Sequence, residues 1–159
     1  IKVKDLVEII EKSKKKNYTS KINPCTKTFQ AIRIFVNKEI TELINGIINA
    51  AKILKPGGRI VIVSFHSIED KIAKFFFSNF SSNKSKPSRY FPEQDDKSIS
   101  LFTEYKNKIL KPSNKEIVQN NRSRSAKLRY AVRSKNKFSH PDELIEKFKI
   151  YLDLEAINV

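Results

Sequence analysis

The stretch Leu54-Lys55-Pro56-Gly57-Gly58-Arg59-Ile60-Val61-Ile62-Val63-Ser64-Phe65-His66-Ser67-Ile68-Glu69-Asp70 decides the fold. Pro56 cannot continue a helix, and the two glycines after it suit the turn that ends one. Residues 60–63 form an unbroken β-branched run, which predicts a buried strand covered on both faces. Apolar residues at helical spacing stand on either side of this strand. A helix, a buried strand and a helix in succession predict a parallel sheet in an α/β domain.

The end of this strand is the predicted functional region, because ligands of parallel sheets gather at the carboxyl ends of the strands. Phe65, His66 and Ser67 occupy that position. Ser67 stands three residues before Asp70, a spacing that predicts a capping box at the start of the next helix. His66 is a candidate general base or a donor to a nucleic-acid base. The alternative is a hydrogen-bonded histidine with a structural role.

The composition favours a polyanionic partner, since 32 basic and 17 acidic residues give a net charge of +15. Most of the basic residues are lysine, which indicates general lysine enrichment, but four of the seven arginines lie within residues 122–133. Arginine makes the planar bidentate contact that phosphate accepts. The single cysteine, Cys25, excludes an internal disulfide and favours the cytoplasm, and no apolar run is long enough to span a membrane. The chain starts at Ile1 and contains no methionine, which indicates a piece of a longer protein.

Apolar periodicity and capping signals predict the remaining elements. Helices are expected at residues 3–13, 28–54 with a break near Asn37, 68–80, from the capping box at Ser113 to about residue 119, and from Pro141 onward. Strands are expected at about 59–64, 101–110 and 123–133, with a mobile loop at 81–100. In the last strand apolar residues alternate with Lys127, Arg129 and Arg133, which predicts one basic side.

Several kinds of site are absent from the sequence. The two histidines are 74 residues apart and the one cysteine has no partner, so no metal site is expected. The only adjacent glycines precede a strand, so no glycine-rich phosphate loop is present, and neither is a nucleophile elbow. The sequence Asn23-Pro24-Cys25 leaves two interpretations open. Cys25 is either the nucleophile of a carbon-5 cytosine methyltransferase or a small residue beside a helix start.

Three longer stretches carry a more specific resemblance. Residues 28–37, TFQAIRIFVN, resemble the pattern TFQALRIxVN, and residues 64–70, SFHSIED, resemble SFHSLED. Residues 122–129, RSRSAKLR, match a third pattern of the same family. In order and spacing the three stretches are similar to the bacterial 16S ribosomal RNA cytosine-N4 methyltransferases. The resemblance covers about residues 1–135 and leaves the tail after Ser134 unassigned.

The resemblance implies a fold and a cofactor. It implies the C-terminal half of a Rossmann-like S-adenosylmethionine-dependent methyltransferase domain at 26–135, after the end of a helical insert domain at 1–25 and before a helical tail at 136–159. The family's N-terminal half, with the glycine-rich cofactor loop, has no counterpart here, so no cofactor-binding residue is expected in this chain. Asn23, Cys25 and Lys27 stand where the family has His, Ala and Arg. Lysine keeps the charge but loses the bidentate fork, which weakens any contact made there.

The resemblance also implies partners and site residues. The expected partner is small-subunit ribosomal RNA or the small ribosomal subunit, with no membrane and no metal. The alternative is a non-catalytic RNA- or ribosome-binding module derived from the same fold. The residues expected to border the base pocket are His66, Ser67 and Glu69, and those expected to contact RNA are Arg33, Asn37, Arg122, Arg124, Ser125, Lys127 and Arg129.

Overall fold

The computed structural model describes residues 2–13, 23, 25–82, 100–103 and 105–157 of the chain. Helices and strands alternate irregularly along it, so the protein is of mixed α/β type. None of the described helices is long and apolar enough to cross a membrane. In chain order the elements are α1 (Val3–Ser13), α2 (Cys25–Asn37), α3 (Glu39–Ile53), β1 (Arg59–Ser64), α4 (Ser67–Asn79), α5 (Asn114–Gln119), a 3-10 helix (Asn121–Ser125), β2 (Lys127–Val132) and α6 (Asp142–Glu155).

The predicted break in the long helical stretch is confirmed. Lys38 adopts φ 51°, in the left-handed region, and separates α2 from α3. A residue in that conformation cannot continue a right-handed helix, so the chain changes direction between Asn37 and Glu39. The turn places the end of α2 next to the start of α3.

The prediction of a parallel sheet is wrong for the strands that the structure describes. β1 and β2 pair antiparallel, in a register that runs from Arg59 opposite Val132 to Ser64 opposite Lys127. A parallel pair would require the connection to return to the start of β1. Here the 3-10 helix leads into β2 beside Ser64, at the end of β1, so β2 runs back along it.

The prediction that β1 is covered on both faces also fails within the described residues. Ile60 and Ile62 are buried, whereas Val61 and Val63 on the opposite face are 55% and 50% exposed. Tyr130, which pairs with Val61, is exposed on that same outer face. The two-stranded sheet therefore has a buried inner face and an apolar outer face that the described residues leave open.

On β2 the basic side chains point into the protein, whereas polar residues of a half-buried strand usually point to solvent. Arg129, Ala131 and, just after the strand, Arg133 are buried, while the alternate residue Tyr130 is exposed. The predicted basic side of this strand thus faces the interior. Burial of these arginines is tolerated because each guanidinium has hydrogen-bond acceptors. Arg133, for example, donates to the carbonyl oxygens of Ala51 and Leu101 at 3.1 and 2.9 Å.

The core lies between the inner face of the sheet and helices α3, α4 and α6. Phe76 and Phe77 of α4 both pack against Phe102, with ring centroids 5.2 and 5.3 Å apart and nearly perpendicular planes. Leu144 and Phe148 of α6 are fully buried in the same core. The C-terminal helix is therefore an integral part of the core.

Two other predictions need correction. Residues 101–103 and 105–110 form no strand but only isolated bridges, from Phe102 to Ser81 and Arg133 and from Leu110 to Leu128. Leu101 and Phe102 are both fully buried, but the segment is bridged only at single residues, so no continuous ladder of hydrogen bonds forms. The last strand begins at Lys127 because a 3-10 helix takes the preceding residues. Of the predicted mobile loop at 81–100, residues 83–99 lie outside the described residues.

Candidate active site

Two of the quoted sequence stretches meet where β1 ends. Arg33 on α2 makes a bidentate contact with Glu39, from Nε to Oε1 at 2.8 Å and from Nη2 to Oε2 at 3.0 Å. Ligand atoms of Glu39, His66 and Glu69 all lie within 4.8 Å of one another. These three residues form what we call the carboxylate–histidine cluster. The structure thus brings the predicted residues Arg33, His66 and Glu69 together around a carboxylate that sequence reasoning missed.

The turn from β1 into α4 fixes Glu69 in place. Oε2 of Glu69 accepts the backbone N–H groups of Phe65 and His66 at 2.8 and 3.2 Å. In return the N–H of Glu69 donates to Nδ1 of His66 at 3.4 Å, which completes a capping box. The predicted box between Ser67 and Asp70 is therefore wrong by one residue. The shift places Glu69 beside the strand end and leaves its Oε1 directed at His66.

The imidazole of His66 has one ring nitrogen without a hydrogen bond. Because Nδ1 accepts from Glu69, a neutral His66 carries its proton on Nε2. Nε2 lies 3.2 Å from Oε1 of Glu69 but lacks hydrogen-bond geometry, and it is buried with no hydrogen-bond partner among the described residues. The side chain is 9% exposed. A buried donor without an acceptor is costly, so this nitrogen is the place where a ligand acceptor would be most favourable.

The surroundings of Glu39 favour its ionised form. Burial opposes its ionisation, but hydrogen bonds from Arg33 and Asn37 and the positive charge of Arg33 outweigh it, so the pKa of this carboxyl lies below its ordinary value. The only sequence signal for Glu39 was an acidic residue at the start of a helix, which is equally typical of an ordinary helix terminus. Its position beside His66 depends on the break at Lys38, and spacing alone does not reveal it.

The carboxylate–histidine cluster has the donor atoms of a divalent-cation site, although no metal was expected from the sequence. Its existing hydrogen bonds compete with such an ion. Arg33 occupies both oxygens of Glu39, and the proton on Nε2 of His66 would have to move to Nδ1, which already accepts from Glu69. We therefore interpret the cluster as a site for an organic group with both donors and acceptors.

The two predicted arginines at the start of the third sequence stretch are exposed. Arg122 and Arg124 lie on the 3-10 helix, and Ser125 at its end is exposed as well. The side chain of Asn120 accepts the N–H of Arg122 at 3.1 Å and so caps this short helix. A short, capped helix that presents two guanidinium groups to solvent suits contact with phosphates. We call this element, Asn121–Ser125, the arginine helix.

Lys127 and Arg129, also predicted to contact RNA, both pair with Asp70. Arg129 is 2% exposed and donates from Nε to Oδ1 of Asp70 at 2.7 Å, and Nζ of Lys127 lies 3.0 Å from Oδ2. Arg129 also donates to the hydroxyl of Tyr105 at 2.8 Å. Burial opposes ionisation of Asp70, but the hydrogen bonds from Arg129 and Lys127 outweigh it and hold its pKa below the ordinary value. Arg129 is therefore positioned to support α4, which carries Glu69.

Cys25, the candidate nucleophile of the alternative reading, is buried at the first position of α2. Its N–H donates to the side chain of Asn23 at 2.7 Å, so Asn23 caps the helix entry. A buried cysteine at a capped helix start is typical of a structural role, since a reactive thiolate needs an electropositive and accessible setting. Ser67, by contrast, is exposed at the first position of α4.

Comparison with known proteins shows which family the chain belongs to. The model of the MraW methylase family matches residues 1–134, which include both stretches that meet in the carboxylate–histidine cluster and the arginine helix. The chain belongs to the MraW methylase family. The family match ends before α6, so the C-terminal helix lies outside it.

Curated relatives agree with the family match. The chain is 47% identical over 130 residues to a protein named ribosomal RNA small subunit methyltransferase H from Bartonella grahamii. It is 45% identical over 128 residues to a protein of the same name from Ehrlichia canis, and 42% identical over 130 residues to one from Caulobacter vibrioides. The aligned parts are 82%, 79% and 82% of this chain but only 39%, 39% and 42% of the relatives. The chain therefore spans about two fifths of the length of these relatives.

Proposed function

We propose that this chain is the base- and RNA-binding part of an S-adenosylmethionine-dependent methyltransferase that modifies the N4 amine of a cytosine in small-subunit ribosomal RNA. The observation that carries the proposal is the convergence of His66 and Glu69, from one family stretch, with Glu39, which Arg33 of another family stretch holds at the end of β1. The names of the relatives supply the substrate, and the net charge of +15 is consistent with it. We place this activity in the cytoplasm, with the small ribosomal subunit as the partner.

The cluster offers a pattern complementary to cytosine. The N4 amine of cytosine donates hydrogen bonds, while its ring nitrogen N3 accepts one. Oε1 of Glu69 is an acceptor for the amine, and the N–H at Nε2 of His66, which is buried in this structure, is a donor for N3 once the imidazole turns toward the base. Uracil presents the reverse pattern at these positions, so the same residues would reject it. A flipped-out base, free of its stack, is the form that fits such a site.

The same residues also suit the chemistry. The lone pair of an aromatic amine is delocalised into the ring, so the nitrogen becomes a better nucleophile when acceptors hold its two hydrogens. Glu69, fixed by two backbone N–H groups at Oε2, keeps Oε1 available for that purpose and for the proton that the amine loses on alkylation. Catalysis of this kind depends mainly on positioning.

The residues of this chain do not fit the cofactor itself. S-adenosylmethionine supplies an electrophilic methyl group on a sulfonium, and Rossmann-like enzymes hold it with a glycine-rich turn after a strand. The chain has three glycines, and Gly57 and Gly58 stand at the start of β1, the opposite end from His66. We propose that a part of the protein outside these residues binds the cofactor and covers the outer face of the sheet. The division into an insert end at 1–25, a methyltransferase half at 26–135 and a tail at 136–159 belongs to the same proposal.

The test is made in the cell. The gene that encodes this chain is deleted and the nucleosides of small-subunit ribosomal RNA are measured by mass spectrometry. We expect N4-methylcytidine to disappear and to return with the wild-type gene. Glu69→Gln should lower the methylation rate by about a hundredfold or more, as loss of a proton acceptor does. Glu116→Gln, the same change at the corresponding position of α5, is the matched control and should restore the nucleoside fully.

The other outcomes of this experiment reject the proposal or point to a different function. If N4-methylcytidine persists in the deletion strain, the proposal is wrong. Loss of 5-methylcytidine instead, with failure of Cys25→Ala to restore it, would support the carbon-5 reading. The lack of a glycine-rich loop in 159 residues favours a non-catalytic RNA- or ribosome-binding module as the second candidate. That module is indicated if no methylated nucleoside changes while the protein still sediments with the small subunit.

A further inference from the structure

The C-terminal helix α6 closes the N-terminus of α3. The carboxylate of Glu155 accepts the N–H of Ile40 at 3.1 Å, and the N–H and the hydroxyl of Thr41 at 2.8 and 2.7 Å. Glu155 is only 4% exposed. The first turn of a helix leaves its N–H groups without intrahelical partners, so these hydrogen bonds satisfy donors that the fold would otherwise bury unpaired.

This cap is needed because α3 provides none of its own. The residue before the helix, Lys38, adopts φ 51° and makes no side-chain capping bond. A helix N-terminus favours negative charge, and Glu155 supplies it from 115 residues further along the chain. Leu144 and Phe148 anchor α6 in the core, and Asn79 of α4 donates to Glu143 at 2.7 Å. The carboxylate of Glu155 is thus held in a fixed position.

The capped turn is the one that carries Glu39. Glu39 is the first residue of α3, and it immediately precedes Ile40, whose N–H Glu155 accepts. If the first turn of α3 frayed, the carboxylate of Glu39 would leave Arg33 and His66. We propose that Glu155 is a positioning residue of the candidate active site, which holds Glu39 against His66 by closing the N-terminus of α3. The assignment of Glu39 to a base site rests on the proposed function, but the mechanical link does not.

This link assigns a role to a helix that lies beyond the family match, which ends at residue 134. The C-terminal helix then has a role in the site, because the carboxylate of Glu155 determines the position of Glu39 in the carboxylate–histidine cluster. A direct consequence is that a change in α6 should be detectable at His66, although α6 contributes no atom to the carboxylate–histidine cluster.

Nuclear magnetic resonance of the intact 159-residue chain, without RNA or cofactor, tests this link. The chain has two histidines, so the Cε1–H region contains one signal from His66 and one from His140. In Glu155→Gln the His66 signal should shift by more than its line width, because the charge of Glu39 beside the ring is displaced. The His140 signal should not move, since it lies roughly 20 Å from Glu155 along the helix. Thr41→Val, which removes one of the three hydrogen bonds, should shift the His66 signal in the same direction but less.

The control is Glu146→Gln, the same charge change at an exposed position of α6, which should move neither signal. Circular dichroism establishes that each variant is folded. A folded Glu155→Gln variant with an unchanged His66 signal would overturn the proposal. If Glu155→Gln does not fold, Thr41→Val decides in the same way. Neither result depends on methylation, so failure here leaves the proposed function standing, and failure of the nucleoside measurement leaves this link standing.

Discussion

Asp70 determines what two basic side chains on β2 can do. Its carboxylate pairs with Lys127 and Arg129 and so ties both side chains to α4, with Arg129 buried and Lys127 still partly exposed. A buried guanidinium is tolerated only when its countercharge and hydrogen-bond acceptors are present. At the same time the neighbouring Glu69 is left to the carboxylate–histidine cluster. Two adjacent acids on one helix thus have separate partners, Asp70 the basic residues of β2 and Glu69 the backbone at the end of β1.

Replacing Asp70 by Asn should destabilise the chain by about 3 kcal/mol at neutral pH, because it leaves Arg129 buried without its countercharge. Chemical denaturation measures the difference. Since the pKa of Asp70 is lowered in the folded state, its contribution is complete above the ordinary carboxyl value of 3.8 and is lost as the pH falls through the lower folded value. The gap between wild type and variant should therefore be constant above about pH 5 and narrow in acid.

The matched control for this change is Asp153→Asn, at an exposed position of α6, which should alter stability by no more than about 0.5 kcal/mol. Equal stability of wild type and the Asp70 variant would contradict the role of Asp70. A gap that widens in acid would contradict the sign of its pKa shift.

At the scale of elements, the arginine helix presents two exposed guanidinium groups that suit contact with phosphate. Of the four clustered arginines, Arg122 and Arg124 are exposed here, while Arg129 and Arg133 are buried on or next to β2. Two of the four clustered arginines are therefore buried and do not add to the exposed positive charge. The exposed pair precedes β2 directly, at the end of the sheet where the carboxylate–histidine cluster lies.

Replacing Arg122 and Arg124 together by Ala should weaken binding to a fragment of small-subunit ribosomal RNA. Each lost phosphate contact should lower the slope of log affinity against log salt by about one unit, because fewer counterions are released. Fluorescence anisotropy over a salt series measures both effects. Lys147→Ala with Lys149→Ala removes the same charge from exposed positions of α6 and should leave the slope within error. An unchanged slope in the arginine variant would exclude the arginine helix as the RNA contact.

Helices proved more predictable than strands, for a physical reason. Apolar spacing and local caps specify a helix within its own sequence, and the break near Asn37 and the short helix after Ser113 were both confirmed. The basic side of β2 faces the interior because Asp70 pairs with Arg129 there. The two residues are 59 positions apart in the sequence, so no local pattern reveals their contact. The residues of the site followed from the family stretches, but Glu39 required the geometry of the turn at Lys38.

At the scale of the whole molecule, we propose that the chain forms one side of a site. It contains the carboxylate–histidine cluster and the arginine helix, and it spans about two fifths of its relatives. The outer face of the sheet exposes Val61, Val63 and Tyr130, an apolar surface that soluble proteins usually cover. We propose one cause for this open face and for the lack of a glycine-rich turn, namely that the cofactor is bound by a part of the protein outside these residues.

The central claim is that this chain carries the base and RNA side of the site and not the cofactor side. Calorimetric titration of the 159-residue chain with S-adenosylmethionine tests it most directly, with the rRNA fragment titrated in parallel to show that the preparation is active. We predict no measurable heat of cofactor binding alongside salt-dependent binding of RNA. Micromolar binding of S-adenosylmethionine by this chain alone would contradict the account, because it would place a complete cofactor site within these residues.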